Sequence, residues 1–240
     1  MNKQCRNCRN AFCSKYKAQV FCSIICSNRY NLNNKSVVSF PKFFSKELAE
    51  LFGILLGDGG VEKYFVRVYL NRKADKGYPQ KVILLFRKLF PKVKVTCLDR
   101  PKRGTEEVQV SSITLCNYLK EIGFDPKLRT IPDWITSNTE FTKAAIRGLF
   151  DTEGSIGVKF YSGKRGVSTY KQLTVTNKNK NILCFLEQGL KKLGYQPTKN
   201  SEKNIYISNQ KDIERYFLEI GTSNPKMKRK FDEKFENVSE

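Results

Sequence analysis

The chain has 240 residues, 44 Lys and Arg against 23 Asp and Glu, a formal charge of +21 and 40% hydrophobic residues. An excess of that size favours a polyanionic partner, nucleic acid above all, because basic groups that neutralise phosphates release condensed counterions. The chain has no histidine, which excludes Ser-His-Asp and Cys-His nucleophilic catalysis. It also lacks an apolar run of ~18 residues, which argues against a membrane-spanning helix.

Nine Lys or Arg and no acid occur among the first 46 residues. The opening Lys3, Cys5, Arg6 and Cys8 is not an apolar leader, so an intracellular, reducing compartment is expected. Cys5-Arg6-Asn7-Cys8 and Cys22-Ser23-Ile24-Ile25-Cys26 form two cysteine pairs. Four thiolates at such spacing suit a tetrahedral structural Zn²⁺, which Cys5, Cys8, Cys22 and Cys26 would hold. Disulfides and scattered structural thiols are the alternatives. Cys13 is then spare, and Cys97, Cys116 and Cys184 are expected in the core. This basic module covers residues 1–40.

Ser45 is placed to cap a helix over Lys46–Asp58 that stops at Gly59-Gly60. Alternation predicts a strand over Val61–Leu70, with Val66, Val68 and Leu70 on one face and Phe65, Arg67 and Tyr69 on the other. A helix over Pro79–Phe90 follows, then strands over Lys92–Cys97 and Glu106–Ser111, joined by a loop with Arg100, Lys102 and Arg103. A helix over Ser112–Ile122 closes this first unit, residues 41–124, and a linker over 125–138 contains Pro126 and Pro132.

The order then recurs over residues 139–240. A helix over Glu140–Glu153 leads to a strand with Ile156, Val158 and Phe160 on one face, a hairpin through Gly163–Gly166 and a strand over Gln172–Thr176. Next come a helix over Lys180–Leu193, strands over Tyr195–Lys199 and Asn204–Ser208, and a helix over Lys211–Ile220. Leu119-Lys120-Glu121-Ile122-Gly123 with Pro126-Lys127 matches Phe217-Leu218-Glu219-Ile220-Gly221 with Pro225-Lys226. The fold class expected is therefore α+β, a duplicated αββαββα unit forming a pseudo-twofold pair.

The sharpest repeat pairs Leu51-Phe52-Gly53-Ile54-Leu55-Leu56-Gly57-Asp58-Gly59 with Ile146-Arg147-Gly148-Leu149-Phe150-Asp151-Thr152-Glu153-Gly154. One acid-glycine pair is an ordinary turn signal, but here it recurs behind the same apolar pattern. Interior helix glycines cost roughly 0.5–1 kcal/mol each, so Gly53, Gly57 and Gly148 are read as points of close helix crossing. Such a crossing would bring Asp58 and Glu153 together, and a divalent cation, Mg²⁺ by the oxygen donors, would relieve their repulsion.

These residues resemble the single-chain, two-motif LAGLIDADG homing endonucleases, from about residue 45 to the end. The resemblance implies two saddle-shaped antiparallel sheets lying in the DNA major groove, with the two motif helices between them. It assigns the metals to Asp58 and Glu153, and the positioning of water to Asn71 and Asn177. It matches Lys211 to an active-site lysine that the first unit replaces by Thr114. Leu56 departs from the pattern where Asp151 keeps the acid, at a position the family uses structurally. The cysteine arrangement resembles small treble-clef-like zinc knuckles, whose phosphate contacts would lengthen the footprint.

The expected function is a monomeric, Mg²⁺-dependent double-strand DNA endonuclease with a long, non-palindromic target. Arg67, Tyr69, Arg72, Lys73, Arg100, Lys102, Arg103, Lys159, Tyr161, Lys164, Arg165, Thr176 and Lys178 would contact DNA. An intron-RNA maturase or an inactive DNA-binding regulator on the same scaffold are the alternatives. No splicing segments flank the unit, which disfavours an intein-embedded form.

Overall fold

Glycine, asparagine and serine punctuate the apolar runs, and they set where helices start and strands turn. The computed structural model describes the backbone of residues 1–33, 39–163 and 166–235; the described side chains exclude those of residues 31–33, 159–163, 166–169, 201, 234 and 235. Two compact units emerge, Met1–Val37 and Val38–Glu240. In the first, β1 (Asn2–Gln4) and β2 (Ala11–Cys13) pair antiparallel, with Asn2 opposite Cys13, and α1 (Ile24–Asn33) follows. The turn between the strands is closed by Cys5 N–H to Asn10 O at 3.0 Å and Arg9 N–H to Cys5 O at 2.9 Å.

The second unit opens with α2 (Lys46–Asp58), whose Ser45 Oγ accepts from Leu48 N–H at 3.2 Å. The chain enters β3 (Gly59–Val61) directly, then β4 (Phe65–Asn71). The single strand expected over 61–70 is thus a hairpin, because Glu62 N–H bonds Phe65 O at 2.8 Å and turns the chain. Val66, Val68 and Leu70 are buried, as the alternation predicts. Next come α3 (Tyr78–Leu89), β5 (Val95–Arg100), β6 (Thr105–Ser111) and α4 (Ile113–Glu121). The connector holds a short helix, α5 (Asp133–Thr136).

The repeat then runs α6 (Thr139–Glu153), β7 (Gly154–Gly163), β8 (Gly166–Thr176), α7 (Lys180–Lys192), β9 (Thr198–Ser201), β10 (Asn204–Ile207) and α8 (Gln210–Glu219). Asn138, Asn179 and Asn209 cap α6, α7 and α8 through their side chains. A further helix, α9 (Pro225–Phe235), lies where no helix is predicted. The sheets have matching antiparallel orders, β3-β4-β6-β5 and β7-β8-β10-β9. This is the duplicated α+β architecture, with helices α2 and α6 packed between the halves.

Two expectations about burial need correction. Cys97 is exposed because β5 is an edge strand, and Cys184 because α7 turns Ile182, Leu183, Phe185 and Leu186 inward and Cys184 out. Only Cys116 of that trio is buried. Val158 is 41% exposed, since β10 pairs with β8 only over Leu173–Thr176 and the β7–β8 hairpin runs past it.

Candidate active site

Close approach of α2 and α6 begins with residue size. A Cβ on Gly148 would overlap the Glu50 carbonyl and reach within 2.8 Å of Ile54 N, and one on Gly53 would overlap the Ala145 carbonyl. At the seventh motif position the two copies face each other, since a Cβ on Gly57 would strike Thr152 Oγ1. Only glycine lets the backbones cross this tightly. The crossing delivers Asp58 and Glu153, each half-buried, to neighbouring helix ends.

Burial pushes Asp58 up to about 7, helped by the neighbouring Glu153 and Asp75 carboxylates and opposed by Lys226 and Arg129. Burial also raises Glu153, against Arg129 and a hydrogen bond that Asn177 donates. That bond runs from Asn177 Nδ2 to Glu153 Oε1 at 3.0 Å, while Asn177 Oδ1 accepts from Asn179 N–H at 2.8 Å. Two half-buried carboxylates that resist ionising together form a donor set that a divalent cation satisfies.

The first half is built differently. Asn71 is exposed at the end of β4, and its Oδ1 accepts from Lys73 and Ala74 N–H at 3.1 and 2.9 Å, closing a turn. Its backbone N–H donates to buried Asp75 Oδ2 at 2.9 Å. Lys211 is exposed on the first turn of α8, and the positive charge that favours ionised Glu153 is that of Arg129 in the connector.

Arg129, in the connector, is the residue the sequence pattern missed. Its guanidinium donates to the carbonyls of Leu56 at 2.6 Å, Gly57 at 3.1 Å and Gly59 at 3.3 Å. It therefore brackets Asp58 and satisfies free carbonyls at the negative end of α2. Its backbone takes φ 51°, a left-handed conformation that a side chain rarely adopts.

The other motif helix is gripped by the segment after α8. Asp151 accepts from the Thr222 hydroxyl, and from Ser223 N–H at 2.8 Å. Asn224 Nδ2 donates to Asp151 O at 2.8 Å and to Asp75 Oδ1 at 3.1 Å. Ser223 Oγ donates to Glu50, which also pairs with Arg147, both at 2.5 Å. Burial lifts Asp151 to about 7, opposed by the Thr222 hydroxyl and the Ser223 N–H. The repeated Pro126-Lys127 and Pro225-Lys226 marked both gripping segments in the sequence, without revealing what they touch.

The outer faces of the two sheets differ in chemistry. On the first, Arg67 pairs with Glu62 at 2.6 Å and Glu107 at 2.9 Å and lies over the Phe65 ring. Arg72 pairs with Asp99, and Arg100 with Glu107. Tyr69, Lys73, Lys102 and Arg103 are exposed. The second sheet carries a concavity of about 370 Å³ lined by neutral polar groups, among them Ser155, Tyr170, Gln172, Thr174, Thr176 and Asn204. Thr176 Oγ1 donates to Asn204 Oδ1 at 2.7 Å, and Lys178 is exposed. The side chains of Lys159 and Tyr161, and Lys164 and Arg165 altogether, lie outside the described residues.

In the N-terminal unit the Sγ atoms of Cys5, Cys8, Cys22 and Cys26 all fall within 4.8 Å of one another. Cys8 and Cys22 are 3.7 Å apart, and Cys22 and Cys26 3.5 Å. Four thiolates at about 2.3 Å from one zinc stand about 3.8 Å apart, so the set fits that ion. Cys13 is exposed at the end of β2, outside this group. Burial raises the Cys5 thiol, but backbone N–H groups of Cys8, Cys22 and Asn7 outweigh it and bring Cys5 down to about 6.

Duplicated α+β halves, crossed motif helices and paired terminal acids define a LAGLIDADG-type fold. Residues 140–221 match the family described as a LAGLIDADG-like domain. The homing endonuclease I-DmoI, in its complex with DNA and Mn, superposes with a TM-score of 0.53 at 22% identity, over 75% of this chain and 98% of that one. The N-terminal LAGLIDADG domain of DUF199/WhiA gives a TM-score of 0.50 at 16% identity, over 75% of this chain and 87% of that one. At these identities the likeness establishes the fold.

Two proteins of Methanocaldococcus jannaschii are similar in sequence. Protein MJ0314, described as uncharacterized, is 25% identical over 67% of this chain and 59% of its own length. The DNA-directed RNA polymerase subunit Rpo1C is 23% identical over 73% of this chain but only 19% of its own length. Among the described residues, no helix is long and apolar enough to cross a membrane.

Proposed function

We propose that the chain is a divalent-metal-dependent, double-strand DNA endonuclease whose two halves recognise unlike half-sites. The observation that carries this reading is the pairing of Asp58 and Glu153 at crossed helix ends, in a chain of charge +21 without histidine. Asp58 and Glu153 would hold the ion, Mg²⁺ or Mn²⁺, which supplies Lewis acidity for phosphodiester hydrolysis. Asn177 orients Glu153, Arg129 fixes the backbone around Asp58, and Asn71 and Lys211 stand at the margins. The exposed faces of β4 and β8, with Arg67, Tyr69 and Thr176, would meet base edges, and Lys73, Lys102, Arg103 and Lys178 phosphates. Zn²⁺ held by Cys5, Cys8, Cys22 and Cys26 would stabilise the N-terminal unit.

The test is cleavage of a randomised duplex library in Mg²⁺ or Mn²⁺ by the wild type, Asp58→Asn and Glu153→Gln. Double-strand cuts at a recurring sequence, lost in both variants, are expected. Tight duplex binding with no cut in any sequence would replace this reading with a binding function.

A further inference from the structure

Glu107 sits on β6, the strand between β4 and β5, where it precedes the core residues Val108 and Val110. Strand alternation puts it on the outer face of the first sheet with Gln109, yet its side chain is only 6% exposed. What covers it is basic. Oε1 lies 2.9 Å from Arg67 Nε on the β4 side, and Oε2 accepts from Arg100 Nε at 3.3 Å on the β5 side. One carboxylate thus ties guanidinium groups from both neighbouring strands.

Arg67 is braced further. Its Nε donates to Gln109 Oε1 at 2.9 Å and its Nη1 to Glu62 Oε1 at 2.6 Å, and the group lies 4.3 Å from the centre of the Phe65 ring. A guanidinium carries five N–H donors, more than these partners take, so donors remain for an acceptor on the open side of the sheet. Arg100 is more open, with its side chain 45% exposed.

A carboxylate on a face that meets DNA repels phosphate, so affinity does not explain Glu107. A nearly buried ion pair is also a poor device for stability, since its desolvation offsets its attraction. What such a pair supplies is a fixed guanidinium plane, which a two-pronged contact to a base requires. The second sheet lacks the device. Pairing of Gly59 with Val68 and of Gly154 with Val175 sets the two sheets in register, and Thr174 then stands at the place of Arg67 and Asn204 at that of Glu107.

From this arrangement, and resting on the duplex-binding part of the reading above, we infer that Glu107 is a positioning residue that aims Arg67 and Arg100 at guanines. The first half then selects a guanine-containing half-site through two fixed arginines, each bonding O6 and N7 of one base. The second half reads its own half-site through the neutral groups of its concavity.

The test is recovery of bound duplexes from a randomised library by the full chain carrying Asp58→Asn and Glu153→Gln, so that bound sequences are collected uncut. They should carry guanine at two positions of one half-site. Adding Glu107→Gln should lower the preference for guanine about 10-fold at both positions, leave the other half-site as it was, and leave affinity for random duplex unchanged or raised. Arg67→Lys and Arg100→Lys should each lower the preference at one position only, and they serve if Glu107→Gln fails to fold.

A glutamate with a merely structural role gives a Glu107→Gln variant that binds every sequence more weakly with its base preference intact, and this overturns the inference. Absence of guanine from the recovered half-sites, or loss of preference in both halves, overturns it equally. No binding of any duplex sinks the duplex-binding reading, and this inference with it. A recurring bound sequence that the parent chain never cuts removes only the nuclease reading.

Discussion

The two halves of the molecule share a topology and solve one problem with opposite polarity. Each motif helix must anchor the segment that follows the last helix of its own unit. In the second half the helix supplies the acceptor: Asp151 takes hydrogen bonds from Thr222 and Ser223. In the first half the same motif position is Leu56, fully buried and without a polar group. There the segment supplies the donor, and Arg129 reaches the backbone carbonyls of Leu56, Gly57 and Gly59. A loss that looks like decay of the motif is compensated by a residue in the connector. The second solution leaves a permanent cation beside both terminal acids, which the first does not.

The largest test converts one solution into the other halfway. Asp151→Leu copies the first half without giving the second an arginine, and strands the Ser223 N–H and Thr222 hydroxyl. It should cost about 3 kcal/mol in urea denaturation, and Asp151→Asn clearly less. A cost under about 1 kcal/mol for Asp151→Leu would mean that the grip is not structural.

Gly148→Ala should cost about 2 kcal/mol, because the added methyl meets the backbone of α2. Gly57→Ala should cost less, because it meets chiefly the movable Thr152 side chain. Equal costs in thermal melts would show that the crossing can slide.

Arg129→Met should lose about 1–2 kcal/mol, with Arg129→Lys recovering less than half, since a single ammonium cannot span three carbonyls. Full recovery by lysine would reduce Arg129 to a charge.

A pH-dependent effect concerns Asp58, whose folded value of about 7 lies above the ordinary 3.8. The folded protein binds the proton more tightly than the unfolded chain, so stability falls as pH rises from about 4 through about 7. Asp58→Asn should therefore melt a few degrees above the wild type at pH 8 in EDTA and level with it at pH 4. A constant offset across that range would put the cause elsewhere. Glu153→Gln should show the same sign.

The sequence by itself determined most of the elements, the duplication and the two recurring acids, while β3 and α9 were not legible in it. Apolar periodicity, glycine positions and Ser or Asn caps are local, and they placed the ends of most helices within a residue or two: Lys46–Asp58 as found, and Thr139–Glu153 where Glu140–Glu153 is expected. The cysteine spacing likewise predicted the four thiols that cluster. Local pattern failed where burial depends on what lies alongside, as at Cys97 on a sheet edge and Cys184 on the outward side of α7.

Only the tertiary structure decided which cations reach the acids. Arg129 and Lys226 lie 71 and 168 positions beyond Asp58 by residue number, and a positive charge in a chain with 44 of them carries no signal of its own. What distinguishes these two is the surface they fold against. Arg129 meets a row of carbonyls at a helix end, and Lys226 the buried Asp75, and neither partner becomes a site until the halves cross.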